Sequence, residues 1–369
     1  MKNSKIIIKS GSKIYPIYLG AGVISNINKL IKKNLSGVKK ICIISDKNIP
    51  SLHLKKLTKA LKKYNPKVFK LQVNEKTKNF KIAYKLINHL LKNNFNRSDC
   101  VIAFGGGIVG DLTAFVGSIT KRGIKFINIP TTLLAQVDAS IGGKTAVNSN
   151  QGKNLIGTFY QPDFVLADML TLNSLPKREM ICGYGEILKH SLILDKNFFY
   201  WLNKNAKKII NKENNKILTK AVIQSCKIKS KIIAKDEKEN NLRMVLNFGH
   251  TFAHGFEGAK NFSKRLNHGE AVLLGIMLAS EFAYEKKILP FKDLSLIKKH
   301  YNNLNLPMHF KKYFRKREIK RIIYFMKKDK KNTNSNIKLI LIKKIGKMYQ
   351  KNIFVSSGEL ARFLNSRLY

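Results

Sequence analysis

Between residues 40 and 130, short apolar runs alternate with longer amphipathic ones, a pattern that few folds accept. Residues 40–45 carry Ile41-Cys42-Ile43-Ile44, and 67–73, 100–104 and 125–129 are apolar runs of similar length. Runs this short and unbroken read as strands covered on both faces. Between them, 54–63 and 80–91 repeat their apolar side chains at helical spacing. The alternation predicts a largely parallel sheet with helices on its faces, whose ligands gather at the carboxyl ends of the strands. Upstream, 5–9 and 14–18 read as paired strands and 23–33 as a helix; downstream, 164–167 reads as the last strand.

The run 100–104 ends in Gly105-Gly106-Gly107-Ile108-Val109-Gly110-Asp111, followed by an apolar helical stretch. This is G-x-G-x-x-G between a strand and a helix, where backbone N–H groups can cradle a pyrophosphate. It follows a late strand, and no acidic residue lies about twenty positions downstream to hold a ribose; Asp46, ending an earlier strand, can serve instead. The plainer reading of the glycines is a tight turn with close helix packing. Further on come Pro130-Thr131-Thr132, Gln136-Val137-Asp138, Gly142-Gly143-Lys144-Thr145 and Gly152-Lys153-Asn154. Two loops rich in Gly and Lys so near each other point to an anion site. A P-loop is excluded, because Asp138 stands where its first glycine belongs.

Beyond Asp168 the texture changes. Pro and Gly punctuate 174–185, and helical patterns follow at 186–204, 215–237, 244–258, 268–286, 293–303 and 315–328. A chain of 369 residues suits two domains. The expected division is a Rossmann-like nucleotide-binding α/β domain over 1–170 and an all-α, metal-binding domain over 171–369. Residues 337–342 and 352–355 read as a small hairpin, and the Lys/Asn-rich pieces 203–216 and 327–336 as solvated loops.

Three of the 8 histidines fall in one short stretch of the second half: His250, His254 and His268. His250 and His254 share a helix face, and His268 returns after a turn. Two imidazoles and a carboxylate make a common catalytic zinc set with an open fourth position. Gly183-Tyr184-Gly185-Glu186 offers the carboxylate, although an acidic residue in a first helical turn also serves the helix dipole. Lys189, Lys227, Lys229 and Arg243 add cations nearby in sequence, with Asn247 beside them.

The charge, 70 Lys+Arg against 22 Asp+Glu for a net +48, raises the question of a nucleic-acid partner. The lysines are spread along the whole chain among Asn and Ile, without interleaved aromatics, as A+T-rich codons would place them. No nucleic acid and no membrane partner is expected; no apolar run is long enough to span a bilayer. The four scattered cysteines suit reduced thiols in the cytoplasm.

Taken in order, these motifs resemble the 3-dehydroquinate synthase family of sugar-phosphate cyclases over essentially the whole chain. The resemblance rests on 105–111, 130–138, 142–145, 152–154, 185–189, 246–254 and His268-Gly269-Glu270. It implies NAD, a divalent metal (Zn2+ or Co2+) on Glu186, His250 and His268, and a homodimer. It leaves His254 for catalysis and substrate contact, with Lys144, Lys189, Arg243 and Asn247. Substrate contacts extend to Asp138, Asn154, Lys229, Lys330 or Lys331, and Arg122, which would reach into the neighbouring subunit. The implied NAD contacts are Asp46, Glu75, Lys78, Gly105, Gly106, Gly107, Gly110, Asp111, Thr131, Thr132, Lys144, Lys153, Thr171, Leu172, Asn173 and Ser174. Asn74 stands where the family usually has Gly, and Ala253 and Gly255 where it usually has Gly and Ala.

The family substrate, 3-deoxy-D-arabino-heptulosonate 7-phosphate, bears a carboxylate and a phosphate. Two cations 6 Å apart repel by about 3 kcal/mol at an effective dielectric of 20, so a converged Lys/Arg set makes sense as a clamp on an anion. The implied reaction is transient oxidation at C5, elimination of phosphate, reduction, ring opening and aldol closure, a lyase with no net redox change. A sister sugar-phosphate cyclase or a metal-dependent polyol dehydrogenase is the alternative of similar plan. A chain without catalysis, surviving as a basic binding protein, is the alternative of another class.

Overall fold

Cys42 and Ile44 point to one face of a strand, and Ile41 and Ile43 to the other. Both faces need cover, and the computed structural model, which describes residues 4–263, 265–328 and 336–369, provides it. Hairpin β1 (Ser4–Lys9) and β2 (Ile14–Gly20) leads into α1 (Ile27–Asn34). There follow β3 (Ile41–Asp46), α2 (Ser51–Ala60), β4 (Lys67–Leu71), α3 (Phe80–Lys92), β5 (Cys100–Gly105), α4 (Gly107–Ile119) and β6 (Lys125–Pro130). A small hairpin, β7 (Val147–Ser149) and β8 (Gly152–Ile156), precedes β9 (Phe164–Asp168). Seven strands form one sheet in the order β1-β2-β9-β6-β5-β3-β4, with β1–β2 antiparallel and the other pairs parallel. Cys42, Ile44, Val101 and Ala103 pack with Leu86 and Leu90 of α3 and Leu112 and Phe115 of α4. Ile41, Ile43, Ile102 and Phe104 pack with Ile27 and Ile31 of α1 and Leu57 of α2.

The chain leaves β3 for β4 on one side and returns to β5 on the other. The carboxyl ends of β3 and β5 therefore flank a topological switch point, where such sheets take their ligands. Asp46 and Gly105 are the residues that end those two strands.

The chain continues through α5 (Lys177–Leu194), α6 (Lys196–Ile210), α7 (Asn215–Ile233), α8 (His250–Ala259), α9 (His268–Glu285), α10 (Phe291–Leu304) and α11 (Ile319–Lys327). Short strands β10 (Ile337–Leu339), β11 (Ile342–Lys344), β12 (Lys347–Met348) and β13 (Ile353–Val355) precede α12 (Ser357–Ser366). The packing divides the chain into two compact units, Met1–Pro176 with Lys212–Lys238, and Lys177–Asn211 with Glu239–Tyr369. Within the first, α7 lies against β1, β2 and residues 135–139. A single cut after residue 170 does not include this return. No described helix is long and apolar enough to cross a membrane.

Several expected boundaries move. The helix expected at 186–204 is two helices, α5 starting at Lys177 and α6 capped by Asp195, whose carboxylate accepts the Phe198 N–H at 2.8 Å. Glu186 consequently stands mid-helix rather than in a first turn. Gly185 is a packing residue: a Cβ there would lie 3.1 Å from Leu273 Cγ and 3.4 Å from the Gly269 carbonyl oxygen. Helix α6 runs through 203–210, expected as loop, because Phe199, Leu202, Ala206 and Ile209 give it a buried stripe. The helix expected from 244 begins at His250, after a 3-10 turn over Leu242–Asn247 and a left-handed Gly249 (φ +79°). Residues 337–339 and 353–355 do pair, antiparallel, around the separate ladder β11–β12. The expected loop at 327–336 falls mostly outside the described residues.

Helix α10 buries His300, whose Nδ1 faces Asn203 Oδ1 while Nε2 accepts the Tyr184 hydroxyl at 2.8 Å. Burial lowers its pKa from 6.5 to about 4. Over that window the unfolded chain binds a proton that the folded chain refuses. The linked stability is complete above pH 6.5 and lost as pH falls toward 4, about 3 kcal/mol in all. Urea unfolding at pH 7 and pH 4 should show that loss, and His300→Gln should show correspondingly less of it. Equal losses in both proteins would place the acid sensitivity elsewhere.

Candidate active site

In the first unit, the end of β5 and the start of α4 leave little room for side chains. A Cβ on Gly105 would lie 2.6 Å from Val109 Cγ2, on Gly106 3.2 Å from Thr132 Cγ2, and on Gly107 3.2 Å from Ala139 Cβ. Among the described residues no side chain caps α4, and no acidic group stands in its first turn. Its N–H groups and positive dipole end are thus open to an anion. Asp111, one turn in, pairs with the buried Lys78 at 2.6 Å, and Lys78 also donates to Asn154 Oδ1 at 2.6 Å. Burial raises the Asp111 carboxyl, and Lys78 opposes that rise. Asp46 accepts the Asn48 N–H at 2.9 Å; burial raises its pKa against the N–H groups of Asn48 and Val73.

The neighbouring loops carry the other expected residues of this unit. Thr131 donates its N–H to the Gly105 carbonyl at 2.9 Å, and Thr132 Oγ1 accepts from Ala135 N–H at 3.2 Å. Residues Ala135–Ala139 form a π turn, a local widening that often marks functional positions. Within it, Asp138 receives the buried Lys229 ammonium at 2.6 Å on Oδ1 and 2.7 Å on its carbonyl. Lys153 pairs with Glu75 at 3.4 Å. In the 3-10 turn Met169–Ser174, Thr171 donates to the Asp168 carbonyl, Leu172 is buried, the Asn173 carbonyl accepts from Lys212, and Ser174 meets His53 Nε2 at 3.1 Å. Lys144, after the left-handed Gly142 and Gly143, is exposed. Arg122 is also exposed, in a left-handed run with Lys121 and Gly123.

In the second unit, the candidate metal ligands converge. Glu186, Lys189 and Arg243 are buried, and one ligand atom from each of Glu186, His250 and His268 lies within 4.8 Å of the other two. Lys189, one turn along α5, pairs with Glu186 Oε2. Glu186 Oε1 receives no hydrogen bond among the described residues and faces His250 Nε2 at 3.5 Å. Two ligands about 2.0–2.1 Å from a tetrahedral ion stand about 3.3 Å apart, so this spacing is that of neighbouring ligands rather than of a hydrogen bond. His250 Nδ1 faces the Phe248 carbonyl at 3.3 Å, and His268 Nδ1 faces Glu257 Oε2 at 3.1 Å. Such partners fix a ring and its tautomer, leaving the far nitrogen for an ion. The donor set, one carboxylate oxygen and two imidazoles, suits zinc or a similar divalent ion.

The His254 ring lies 5.8 Å from that of His250 on the same face of α8. Asn247 donates to Glu239 Oε1 at 2.5 Å and to the Met244 carbonyl at 3.2 Å. Lys330 and Lys331 lie outside the described residues. Glu257 was absent from the sequence reading, although its position seven residues after His250 sets it on the helix face of His250 and His254. Asn148 was absent too, and a lone Asn in a loop carries no signal of its partners.

Family profiles described as 3-dehydroquinate synthase N-terminal and 3-dehydroquinate synthase C-terminal match residues 68–182 and 183–332. A 3-dehydroquinate synthase from Pelagibacter ubique is 51% identical over 342 residues, 93% of each chain. The chain belongs to the 3-dehydroquinate synthase family. Another relative of that name, from Dictyoglomus thermophilum, is 42% identical over 337 residues, 91% of each chain. Among solved structures, 2-deoxy-scyllo-inosose synthase complexed with carbaglucose-6-phosphate, NAD+ and Co2+ shares the fold at TM-score 0.88 and 23% identity, covering 98% of this chain and 100% of that one. The 2-epi-5-epi-valiolone synthase from Streptomyces hygroscopicus, with NAD+ and Zn2+ bound, does so at TM-score 0.83 and 23% identity, covering 96% of each. The profiles of the 3-dehydroquinate synthase family thus run without a gap across the glycine turn and all three candidate metal ligands.

Proposed function

We propose that this chain converts 3-deoxy-D-arabino-heptulosonate 7-phosphate to 3-dehydroquinate and phosphate, as an NAD- and metal-dependent lyase of the shikimate pathway. The observation that carries the reading is the convergence of Glu186, His250 and His268 in a chain 51% identical to a 3-dehydroquinate synthase. When bound, NAD supplies a reversible hydride acceptor and Zn2+ or Co2+ a Lewis acid for substrate hydroxyls. Glu186, His250 and His268 would hold the metal. The first turn of α4 after Gly105–Gly107, with Asp46, Glu75, Lys78, Gly110, Asp111, Thr131, Thr132, Lys144, Lys153 and Thr171–Ser174, would hold the dinucleotide. The closely packed glycines support that assignment.

Lys144, Lys189, Lys229, Arg243 and Lys330 or Lys331 clamp the carboxylate and phosphate of the substrate, while Asp138, Asn154 and Asn247 contact its other polar groups. Lys189 is buried beside Glu186, where its charge is little screened by solvent. His254, whose ring lies 5.8 Å from that of His250, moves a proton at the C5 hydroxyl as a general acid and base. Arg122 completes the site of a second copy in a homodimer. The exposed Phe80, Tyr84, Leu155 and Phe159, around the β7–β8 hairpin in the same unit, support self-association. Four buried free cysteines accord with a cytoplasmic setting.

The test is phosphate release from the heptulosonate phosphate, with product identified by NMR. Release should require NAD, fall at least about 100-fold on chelation, and return with Zn2+ or Co2+. The protein should sediment as a dimer. Indifference to the chelator removes the metal from the reading, and a product other than 3-dehydroquinate moves the chain to a sister cyclase.

A further inference from the structure

The hairpin β7–β8 brings two of the proposed binding residues together through a third that neither sequence nor family comparison assigns. Asn148 is engaged through its backbone N–H and both ends of its side-chain amide. Its backbone N–H donates to the Lys78 carbonyl at 2.8 Å. Its side-chain Nδ2 donates to the Glu75 carbonyl at 3.0 Å and to Glu75 Oε1 at 2.8 Å. Its Oδ1 accepts the Asn154 N–H at 3.0 Å. Asn154 sits in the left-handed region (φ +55°) inside β8, a conformation that costs most residues about 1–2 kcal/mol and needs local support. Support comes from Asn148 on its N–H and from Lys78 on its side chain. Lys78 is anchored on Asp111, and Glu75 is paired with Lys153, the residue next to Asn154. The contacts tie both strands of the hairpin to Glu75 and Lys78 and, through Lys78, to Asp111 of α4.

We propose that Asn148 is a positioning residue that sets Glu75, on the dinucleotide side, and Asn154, on the substrate side, in one fixed relation. This rests on the assignments made under the proposed function. The amide suits the task because it donates and accepts at once. Aspartate at this position would still accept the Asn154 N–H but would set a carboxylate against that of Glu75. Alanine would do neither.

The experiment measures NAD affinity by fluorescence titration and substrate KM by phosphate release, in the intact protein and its variants. A lost hydrogen bond of ordinary strength translates to about tenfold. Asn148→Ala should therefore raise both the NAD Kd and the substrate KM about tenfold. Asn148→Asp should raise the NAD Kd by a similar factor while leaving the substrate KM within about twofold of the native value. In an Asn154→Ala background, adding Asn148→Ala should not raise the substrate KM further, because the residue acts through Asn154. A residue that merely held the hairpin folded would lower the melting temperature and add its effect in both backgrounds. Native Kd and KM in Asn148→Ala, or full additivity with Asn154→Ala, overturn the proposal. If Asn148→Ala does not fold, Asn148→Asp decides alone: equal changes on both sides overturn it, and a change confined to NAD supports it. A native protein that neither binds NAD nor releases phosphate overturns the functional reading itself.

Discussion

His268→Ala protein is expected to fold, to purify without stoichiometric Zn2+ or Co2+, and to release no phosphate. The expectation combines two facts about this side chain. Its ring belongs to the three-residue convergence with Glu186 and His250, and 36% of it remains exposed, so truncation opens no sealed cavity. Unfolding free energy in chelator should stay within about 1 kcal/mol of native. Glu186→Ala is the poorer test, because it would leave the Lys189 ammonium buried without its carboxylate, a loss of about 3–5 kcal/mol that mixes folding with binding. Glu257→Gln should lie between native and His268→Ala. The amide can still meet His268 Nδ1 but no longer as an anion, and loss of such a second partner weakens metal affinity about 10- to 100-fold. Metal analysis after dialysis and Co2+ absorption titration read both variants. Stoichiometric zinc retained by His268→Ala would show that another group is the third ligand.

Gly269→Ala is expected to destabilise the second unit by about 3 kcal/mol and to weaken metal binding with it. A Cβ at this position would lie 2.5 Å from the Cys182 carbonyl oxygen of α5. Because backbone cannot rotate away, α9 must shift, and the residue before the substitution is His268. Two effects run the other way: alanine improves helix propensity by up to about 1 kcal/mol and lowers the entropy of the unfolded chain by somewhat less. Neither offsets a clash with main chain. The Gly269 N–H also donates to Cys182 Sγ at 3.1 Å, a bond that the shift would lengthen. Urea unfolding with chelator present separates the packing loss from the metal loss. Native-like stability in Gly269→Ala would mean that α5 and α9 do not approach this closely.

The parallel sheet was legible because its strands are short, apolar and interrupted by helical spacing, which leaves one economical arrangement. The glycine turn was legible for the same local reason. What sequence could not supply was the partner of each buried surface. The stripe on α7 shows that one face is covered, but nothing in it says that β1 and β2 do the covering. Glu186 illustrates a subtler limit. The glycines at 183 and 185 look like the entrance to a helix, whereas the structure uses them inside α5, where Gly185 meets α9. Local punctuation and tertiary packing call for the same residue type. Glu257 could have been found from its spacing after His250. Asn148 could not, because its partners come from a segment seventy residues earlier and from six residues later.

The division of the chain also bears on how it is made. Residues 212–238 belong with the first 176, so the polypeptide passes between the two units three times, at 176, 211 and 238. A ribosome delivering this protein has synthesised all seven strands long before it supplies the helix that lies against β1 and β2. Until about residue 238 has left the exit tunnel, the nascent sheet must wait with that side bare, a natural target for chaperones. No single cut would yield two fragments that each contain a whole unit.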